Sequence, residues 1–460
     1  MRSFDAIIVG AGQAGPPLAG RLTAKGWHVA LIERHLVGGT CVNTGCMPTK
    51  TLVASAYAAH LARRGADFGI RTGIVEVDMP AVAARAARVV EDARGGNERW
   101  LSSMERLTFL RGHARFTGSR TMMVGDEAIT APRIFLNVGG RADVPAMPGV
   151  GDVPHLDNTD MVVLDAVPPH LVVVGGSYVG LEFAQMYRRF GAQVTIVERG
   201  DRLVSHEDVD VSDAIRALLE DEGIVVRTGA DCIGLSRHAE GVVVSVSCKT
   251  GEPSVIGSHV LLAIGRRPNT DDLGLEHAGV ATDARGFITV DDRLETNVAG
   301  IWALGDCNGR GAFTHTAYND FEIVAANLLD GDDRRVSQRI PGYALYIDPP
   351  LGRVGMTQAQ AIASGRKVLV SKRAMTRVGR AVEKGETKGF MKVVADAGTQ
   401  RILGAAILGT GGDEAIHGIL DMMSADQPIS ALRWAVPIHP TVSELIPTVL
   451  LDLQPPEAMP

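Results

Sequence analysis

The chain has 460 residues, of which 45% are hydrophobic and 22% charged, and it carries a net charge of −7 at neutral pH. At roughly 150 residues per domain this length suggests about three domains, with the balance of a folded globular protein. The acidic charge excludes nucleic acid as the main partner, because no excess of Lys and Arg is available to neutralise phosphates, and no apolar run reaches the roughly 18 residues that a membrane-spanning helix needs. Five cysteines, an odd number, fit poorly with a secreted disulfide framework. The opening MRSFDAIIVGAG enters an apolar β-type run directly, without the basic stretch and cleavage site of a signal peptide. The expected location is therefore the cytoplasm, with no membrane partner, where disulfides are usually catalytic or redox-sensing.

In chain order, FDAIIVG at 4–10 reads as a buried parallel strand. It leads into GAGQAG, where Gly10, Gly12 and Gly15 fit GxGxxG, and then to a second strand, HVALIER at 28–34, carrying Glu33. Strand, glycine turn, helical pattern, second strand and terminal acid together mark a dinucleotide-binding unit. Gly10 allows the tight turn, Gly12 lets backbone N–H groups approach a pyrophosphate, and Gly15 lets helix and strand pack closely. The helix N-terminus faces the phosphates, and Glu33 is placed to accept hydrogen bonds from ribose hydroxyls. Pro16 and Pro17 fall in the first turns of this helix, where proline is costly beyond the first position, so an irregular helix start is expected.

GGTCVNTGCMPTK at 38–50 holds Cys41 and Cys46 in a glycine-rich turn. The spacing is too long for a CxxC pair, and no partner pair completes a zinc site; no resident metal is expected. An inserted helical stretch, AVAARAARVVEDARGG, and a return strand in IFLNVGGR at 134–141 follow, and VPAMPGVGDVP reads as a linker. The nucleotide-binding pattern then recurs: HLVVVGG at 170–176 is the strand, GGSYVG the turn with Gly175, Ser177 and Gly180, and QVTIVER at 193–199 ends in Glu198. The offset from Gly10 to Glu33 equals that from Gly175 to Glu198, 23 residues in each. Two such units imply two dinucleotides and electron transfer between them. Glu198 at the strand end hydrogen-bonds a free 2′-hydroxyl and repels a 2′-phosphate, which favours NADH, with NADPH as the second candidate because Arg199 and Arg202 lie nearby. The second unit ends in VLLAIGRRPN, which contains Gly265, and residues 341–460 hold β-type runs such as GFMKVVAD and ILGAAILG followed by helices.

These motifs together resemble the flavin-dependent pyridine nucleotide–disulfide oxidoreductases, the family of dihydrolipoamide dehydrogenase, glutathione reductase and mercuric reductase. GAGQAG with Glu33 is similar to the FAD adenosine site, GGTCVNTGCMPTK to the redox-active disulfide, and GGSYVGLEFAQ to the nicotinamide site. TNVAGIWALGD at 296–306 is similar to the second FAD motif, and HPTVSE at 439–444 to the C-terminal His–Glu motif. The resemblance covers nearly the whole chain. It implies an α/β protein with two Rossmann-like dinucleotide-binding domains and a C-terminal α+β dimerisation domain. The expected division is FAD domain 1–150, NAD(P)H domain 151–272, FAD domain again 273–340, and interface domain 341–460.

The resemblance also implies roles. Cys41 and Cys46 lie beside the flavin at a helix start, where N–H groups lower a thiol pKa, and Gly45 permits the close geometry. Cys46 is then the flavin-facing thiol and Cys41 the outer thiol that meets substrate. The alternatives are two buried free thiols or a structural bridge. Arg34, Gly39, Thr40 and Gly265 join the cofactor-binding set, and Asp306 is expected on the ribityl chain. Lys50, four residues after Cys46, is expected to pair with Glu182, the alternative being a solvated lysine and a surface glutamate. Tyr178 matches the aromatic residue that covers the flavin until nicotinamide displaces it. His439, tuned by Glu444, is the acid–base group, and in relatives it serves the disulfide of the other subunit, so a homodimer is expected. Cys232, Cys248 and Cys307 read as small core residues, and His315 as helix packing.

The function expected is an FAD enzyme that takes electrons from NADH to the Cys41–Cys46 disulfide and on to a small disulfide or thiophilic acceptor. The absence of a C-terminal cysteine pair and the presence of His439 count against dedicated mercuric reduction. DPPLGRVGMT at 348–357 and GDC at 305–307 nonetheless resemble the mercuric-reductase-like branch, which keeps Hg(II) or Cu(II) reduction as an alternative. Dihydrolipoamide dehydrogenase is another, although Ile438 stands where its usual HAHP has a different residue. A thiol redox sensor is the alternative of another class, and it needs no acid–base group such as His439.

Overall fold

The computed structural model describes residues 1–247 and 252–458. Its centre is a five-stranded parallel sheet in the order Ile301–Ala303, Ile134–Leu136, Ala6–Val9, Val29–Glu33, Leu107–Arg111. Within FDAIIVG the strand Ala6–Val9 is apolar throughout because it is covered on both faces. Ile7 and Val9 pack to one side with Ala30 and Ile32; Ala6 and Ile8 pack to the other with Val29 and Leu31. A parallel sheet sandwiched this way needs apolar residues at successive positions. The strand at 301–303, far along the chain, lies in this same sheet.

The second unit repeats the design with a four-stranded parallel sheet in the order Val225–Arg227, Gln193–Val197, His170–Val174, His259–Leu262. An antiparallel ribbon, Gly140–Ala142 with Arg266–Pro268, links the two units. The C-terminal region is a five-stranded antiparallel sheet, Gly342–Leu345, Leu351–Gly355, Arg401–Leu408, Phe390–Asp396, Val368–Ala374. The helix Gly412–Ser424 buries Ala415, Ile416 and Ile419 in that region's core. Among the described residues no helix is long and apolar enough to cross a membrane.

The helix after the first glycine turn runs regularly over Gly15–Ala24, with both prolines in its first turn. The expected irregular start is not seen, because N–H groups in the first turn have no intrahelical acceptor and proline gives up nothing there. The inserted helical stretch is a 24-residue helix, Met79–Ser102, capped by Asp78 through a bond from the Ala81 N–H. Cys232 departs from its expected core position. It is exposed and adopts φ +54 where the pairing register shifts between Asp231 and Gly234. A bulge turns its side chain away from the core. Cys248 lies outside the described residues, and Cys307 is fully buried as expected.

Candidate active site

The two glycine turns are built alike. Gly10 and Gly175 have φ of +104 and +115, and a Cβ on either would stand 2.2 or 2.3 Å from a backbone oxygen, of Asn137 and Ala263 respectively. Only glycine fits such a backbone. Gly15 and Gly180 repeat one another too: a Cβ on each would meet the carbonyl oxygen of Gly10 or Gly175 at 2.2 Å. Glu33 accepts from the N–H groups of Ala11 and His35, both at 2.8 Å. Glu198 accepts from those of Gly176 and Gly200, both at 2.6 Å. Each acid thus occupies the same two positions relative to its own turn, and each carboxylate keeps free lone pairs for ribose hydroxyls.

The turns fit dinucleotides. A Cβ on Gly12 would find only the Asn137 side-chain amide nitrogen at 3.4 Å and the Asn137 carbonyl oxygen at 4.0 Å, so the backbone there is open to a close-lying phosphate group. Ser177 is the N-cap residue of helix Tyr178–Phe190, and its side chain makes no capping bond. Arg34 pairs with Asp272 at 2.7 Å, and Gly265 stands in open space. Asp306 lies in the turn Gly305–Asn308, 3.6 Å from Arg266. Burial pushes its carboxyl above the usual range, opposed by Arg266.

The thiol loop is fastened to the first glycine turn. The Gly38 N–H donates to the Ala11 carbonyl at 2.8 Å, Gln13 donates to the Gly38 carbonyl at 3.0 Å, and a Cβ on Gly39 would lie 2.9 Å from Cα of Gly12. Thr40 and Cys41 sit in a short helix, Gly39–Asn43; Cys46 opens the next, Cys46–Arg63. A Cβ on Gly45 would be 2.9 Å from the Thr40 carbonyl oxygen, so glycine permits the two helices to meet.

Both cysteines are present as thiols, and their proton affinities diverge. Hydrogen bonding from Cys41 lowers the Cys46 pKa to about 6, helped by Thr314 and Lys50 against the effect of burial. The Thr314 hydroxyl lies 3.2 Å from the Cys46 sulfur. The Cys41 thiol moves up, because it supplies that hydrogen bond and is itself half-buried. The backbone N–H of Cys46 itself adds least, and the neighbouring thiol dominates.

Lys50 and Glu182 form an ion pair at 2.8 Å. The other Glu182 oxygen accepts from the Tyr346 N–H at 3.0 Å, and the Lys50 ammonium lies 4.6 Å from the centre of the Tyr346 ring. Tyr178 packs edge-on against Tyr343 and Phe313, with ring centres at 5.2 and 6.1 Å. His315 stacks on Phe313 and bonds the Gly342 carbonyl at 2.8 Å, a packing arrangement as expected. Thr314, at the start of a helix, Tyr343, in a strand, and Phe313 and Tyr346 beside them carry no sequence signal that separates them from their neighbours.

His439 bonds Glu444 through Nδ1 at 2.8 Å, which leaves Nε2 pointing away from the acid. Its side chain is 79% exposed, and Trp434, Val436 and Ile438 just before it are also exposed, at 76, 95 and 80%. Such an apolar run in water marks a surface that a partner covers.

The family model for pyridine nucleotide–disulphide oxidoreductases matches residues 4–320, and that for their dimerisation domain matches residues 341–450. The chain is 36% identical over 453 residues to the probable pyridine nucleotide-disulfide oxidoreductase RclA of Escherichia coli, covering 96% of this chain and 98% of that one. It is 34% identical over 448 residues to a dihydrolipoyl dehydrogenase of Thermus scotoductus, and 33% over 449 residues to a mercuric reductase of Streptomyces lividans. The former covers 96% of both chains, the latter 96% of this chain and 94% of that one. The solved Cu(II) complex of the HOCl-induced flavoprotein disulfide reductase RclA from Escherichia coli superposes with a TM-score of 0.89 at 34% identity, over 98% of this chain and 99% of that one. With its two dinucleotide-binding domains and its dimerisation domain, this chain belongs to the pyridine nucleotide–disulphide oxidoreductases, enzymes that use FAD and NAD(P)H to turn over a disulfide.

Proposed function

We propose that the enzyme carries two electrons from NADH through FAD to Cys41 and Cys46, and from these thiols to a small disulfide. The placing of Cys41 and Cys46 in a loop fastened to the first glycine turn, with Thr314 3.2 Å from the Cys46 sulfur and the Lys50–Glu182 pair one turn on, is the observation that carries this reading. FAD, when bound at Gly10, Gly12, Gly15, Glu33 and Asp306, supplies the two-electron carrier between dinucleotide and thiols. Residues 1–150 and 273–340 form its domain, 151–272 the NAD(P)H domain and 341–460 the interface domain. Arg34, Gly39, Thr40 and Lys50 border the flavin. Gly175, Ser177, Gly180, Glu198 and Gly265 hold the dinucleotide, Tyr178 covers its nicotinamide position, and Glu182 orients Lys50.

Cys41, the protonated outer thiol, needs a base before it attacks a sulfur of the acceptor. His439 of a second copy takes that proton at Nε2 while Glu444 holds Nδ1, as the acid of a serine triad does. A bond forms from Cys41 to one acceptor sulfur, and the other leaves as a thiolate, which receives the proton back from His439. The Cys46 thiolate then attacks the Cys41 sulfur, restoring the internal disulfide and releasing the second thiolate, protonated from solvent. The acceptor disulfide gains the two electrons that the dithiol loses. Exposure of His439 and of the apolar run before it supports a homodimer that brings His439 to the thiols of the other copy.

A second reading is favoured by the Cu(II) in the solved RclA structure and by the mercuric reductases among the relatives. In it the same thiols deliver electrons to a thiophilic metal ion acting as substrate. Dihydrolipoamide is a further candidate because a dihydrolipoyl dehydrogenase is similarly related. NADH oxidation by the FAD-loaded enzyme, assayed with lipoamide, glutathione disulfide, other small disulfides, Hg(II) and Cu(II), separates these. Turnover of one disulfide that falls about 100-fold or more in His439→Ala, with NADH reduction of the flavin retained, is the expected result. Turnover with metal ions alone, unchanged in His439→Ala, would replace it with the metal reading.

A further inference from the structure

Arg353, in the stretch DPPLGRVGMT, is only 2% exposed, and its Nη1 and Nη2 have no hydrogen-bond partner. Its Nε lies 3.8 Å from one oxygen of Glu207, which is also buried. The other Glu207 oxygen accepts from the Tyr343 hydroxyl. Tyr343 and Arg353 stand directly opposite one another on paired strands of the C-terminal sheet. Cross-strand partners of this kind present their side chains on one face. Glu207 comes from the other side of a domain boundary, two residues before the helix Val209–Asp221 of the second nucleotide-binding unit.

A guanidinium and a carboxylate at this depth are each strongly unfavourable alone. Packed together at this depth they hold one another in place, and Glu207 gives the Tyr343 hydroxyl a fixed acceptor. Burial pushes the Glu207 carboxyl above its usual range, with Arg353 and Tyr343 opposing the shift. Tyr343 is thus anchored at its hydroxyl. Its ring is anchored as well, stacked on Phe313 with centres 5.6 Å apart and planes 15° from parallel.

Tyr178 rests on this anchored ring. The two ring centres lie 5.2 Å apart and the planes meet at 74°. Tyr178 is the first residue of the helix that follows the second glycine turn, and it precedes Glu182 by four residues, on the same helix face. We propose that Tyr343, pinned by Glu207 and Arg353, is a positioning residue that latches Tyr178 over the nicotinamide position. The proposal rests on the reading of Tyr178 as the aromatic cover. A dinucleotide whose nicotinamide enters must swing Tyr178 off Tyr343 and so break the latch; a ligand that fills only the adenosine and pyrophosphate positions leaves it closed.

The test compares equilibrium binding of NAD⁺ and ADP-ribose to the FAD-loaded enzyme. ADP-ribose shares the glycine turn and Glu198 with NAD⁺ but lacks the nicotinamide. Tyr343→Phe keeps the ring but cuts its anchor to Glu207, so NAD⁺ is expected to bind about five-fold more tightly, the scale of one net hydrogen bond, with ADP-ribose unchanged. Phe313→Leu removes the ring on which Tyr343 is stacked and carries the test should Tyr343→Phe fail to fold. It is expected to tighten NAD⁺ by a similar factor, the scale of one aromatic pair. Equal shifts for both ligands would overturn the latch in favour of a role in seating the domains. Tyr178→Ala separates the two layers of argument. If it tightens NAD⁺ alone and Tyr343→Phe and Phe313→Leu do nothing, the latch is wrong and the cover stands. If none of the three discriminates the ligands, the cover itself is wrong.

Discussion

The ionisation of Cys46 offers the sharpest test of the thiol geometry. Its pKa falls from an ordinary 9.0 to about 6, so the sign is clear: the thiolate is present above pH about 6 and is lost as pH falls through that value. At pH 7 this gives roughly ten thiolates per thiol, against about one in a hundred for an unperturbed cysteine. Alkylation of the reduced enzyme by iodoacetamide reads the thiolate, but its rate does not rise a hundred-fold. Nucleophilicity falls with pKa, with a Brønsted slope of about 0.4–0.5, and over three units this takes back roughly 15–30-fold. The net gain is only a few-fold, so the midpoint of the pH profile is the measurement, not the rate. Removing the 3.2 Å contact with Thr314→Val is expected to raise the midpoint by about 1–2 units, the worth of a hydrogen bond to a charged group. Cys41→Ala removes the largest cause and is expected to raise it furthest, with Lys50→Met the least of the three. A single wild-type midpoint near 9 would refute the reasoning. So would a Cys46→Ser enzyme that still titrates near 6, since Cys41 would then be the acidic thiol.

Lys50→Met strands the Glu182 carboxylate, which is 6% exposed, with only the Tyr346 N–H as partner. The expected loss is about 1–2 kcal/mol in the denaturant midpoint of the FAD-loaded enzyme, kept small because Lys50 itself is one-third exposed; no loss would mean that water satisfies Glu182. Gly10→Ala forces a Cβ to 2.2 Å from the Asn137 carbonyl oxygen at φ +104 and is expected to yield protein without flavin. Gly265→Ala meets nothing within 4 Å and is expected to keep full flavin content and stability within about 0.5 kcal/mol; flavin absorbance per chain reads both. Glu198→Ala is expected to lower the ratio of kcat/KM for NADH over NADPH by about ten-fold, the scale of one charge-assisted hydrogen bond. An unchanged ratio would reduce Glu198 to a brace for Gly176 and Gly200.

What could be read from the sequence was what a local backbone demands. A glycine forced to φ +104 or +115 must stay glycine, and an acid that braces the turn must stand a fixed distance along the chain. Both units therefore announce themselves, down to the equal spacing of Gly10 to Glu33 and Gly175 to Glu198. The strand cores Ala6–Val9 and Leu171–Val174 were legible because burial on both faces leaves no polar position in them. Cys232 was misread for the complementary reason. A bulge decides which way one residue faces, and a bulge leaves no mark in the apolar pattern of its strand.

The rest of the site was hidden because it is assembled from charges that meet only after folding. Tyr343 and Arg353 look like ordinary strand residues, and Glu207 looks like a solvated acid before a helix. Only the fold brings the C-terminal sheet against the second nucleotide-binding unit. Along the same seam the Lys392 ammonium, 3% exposed, meets Asp208 at 3.1 Å and Asp210 at 3.0 Å, and Arg189 meets both Glu222 and Asp348 at 2.7 Å. Ion pairs buried this deeply are poor sources of net stability, since desolvation offsets most of the attraction. They are demanding about geometry, because moving one partner by an ångström or two leaves the other uncompensated. The seam thus holds the C-terminal sheet in one register against the helix that begins at Tyr178. The aromatic side chains packed beside Tyr178 at the start of that helix are thereby held on a fixed surface.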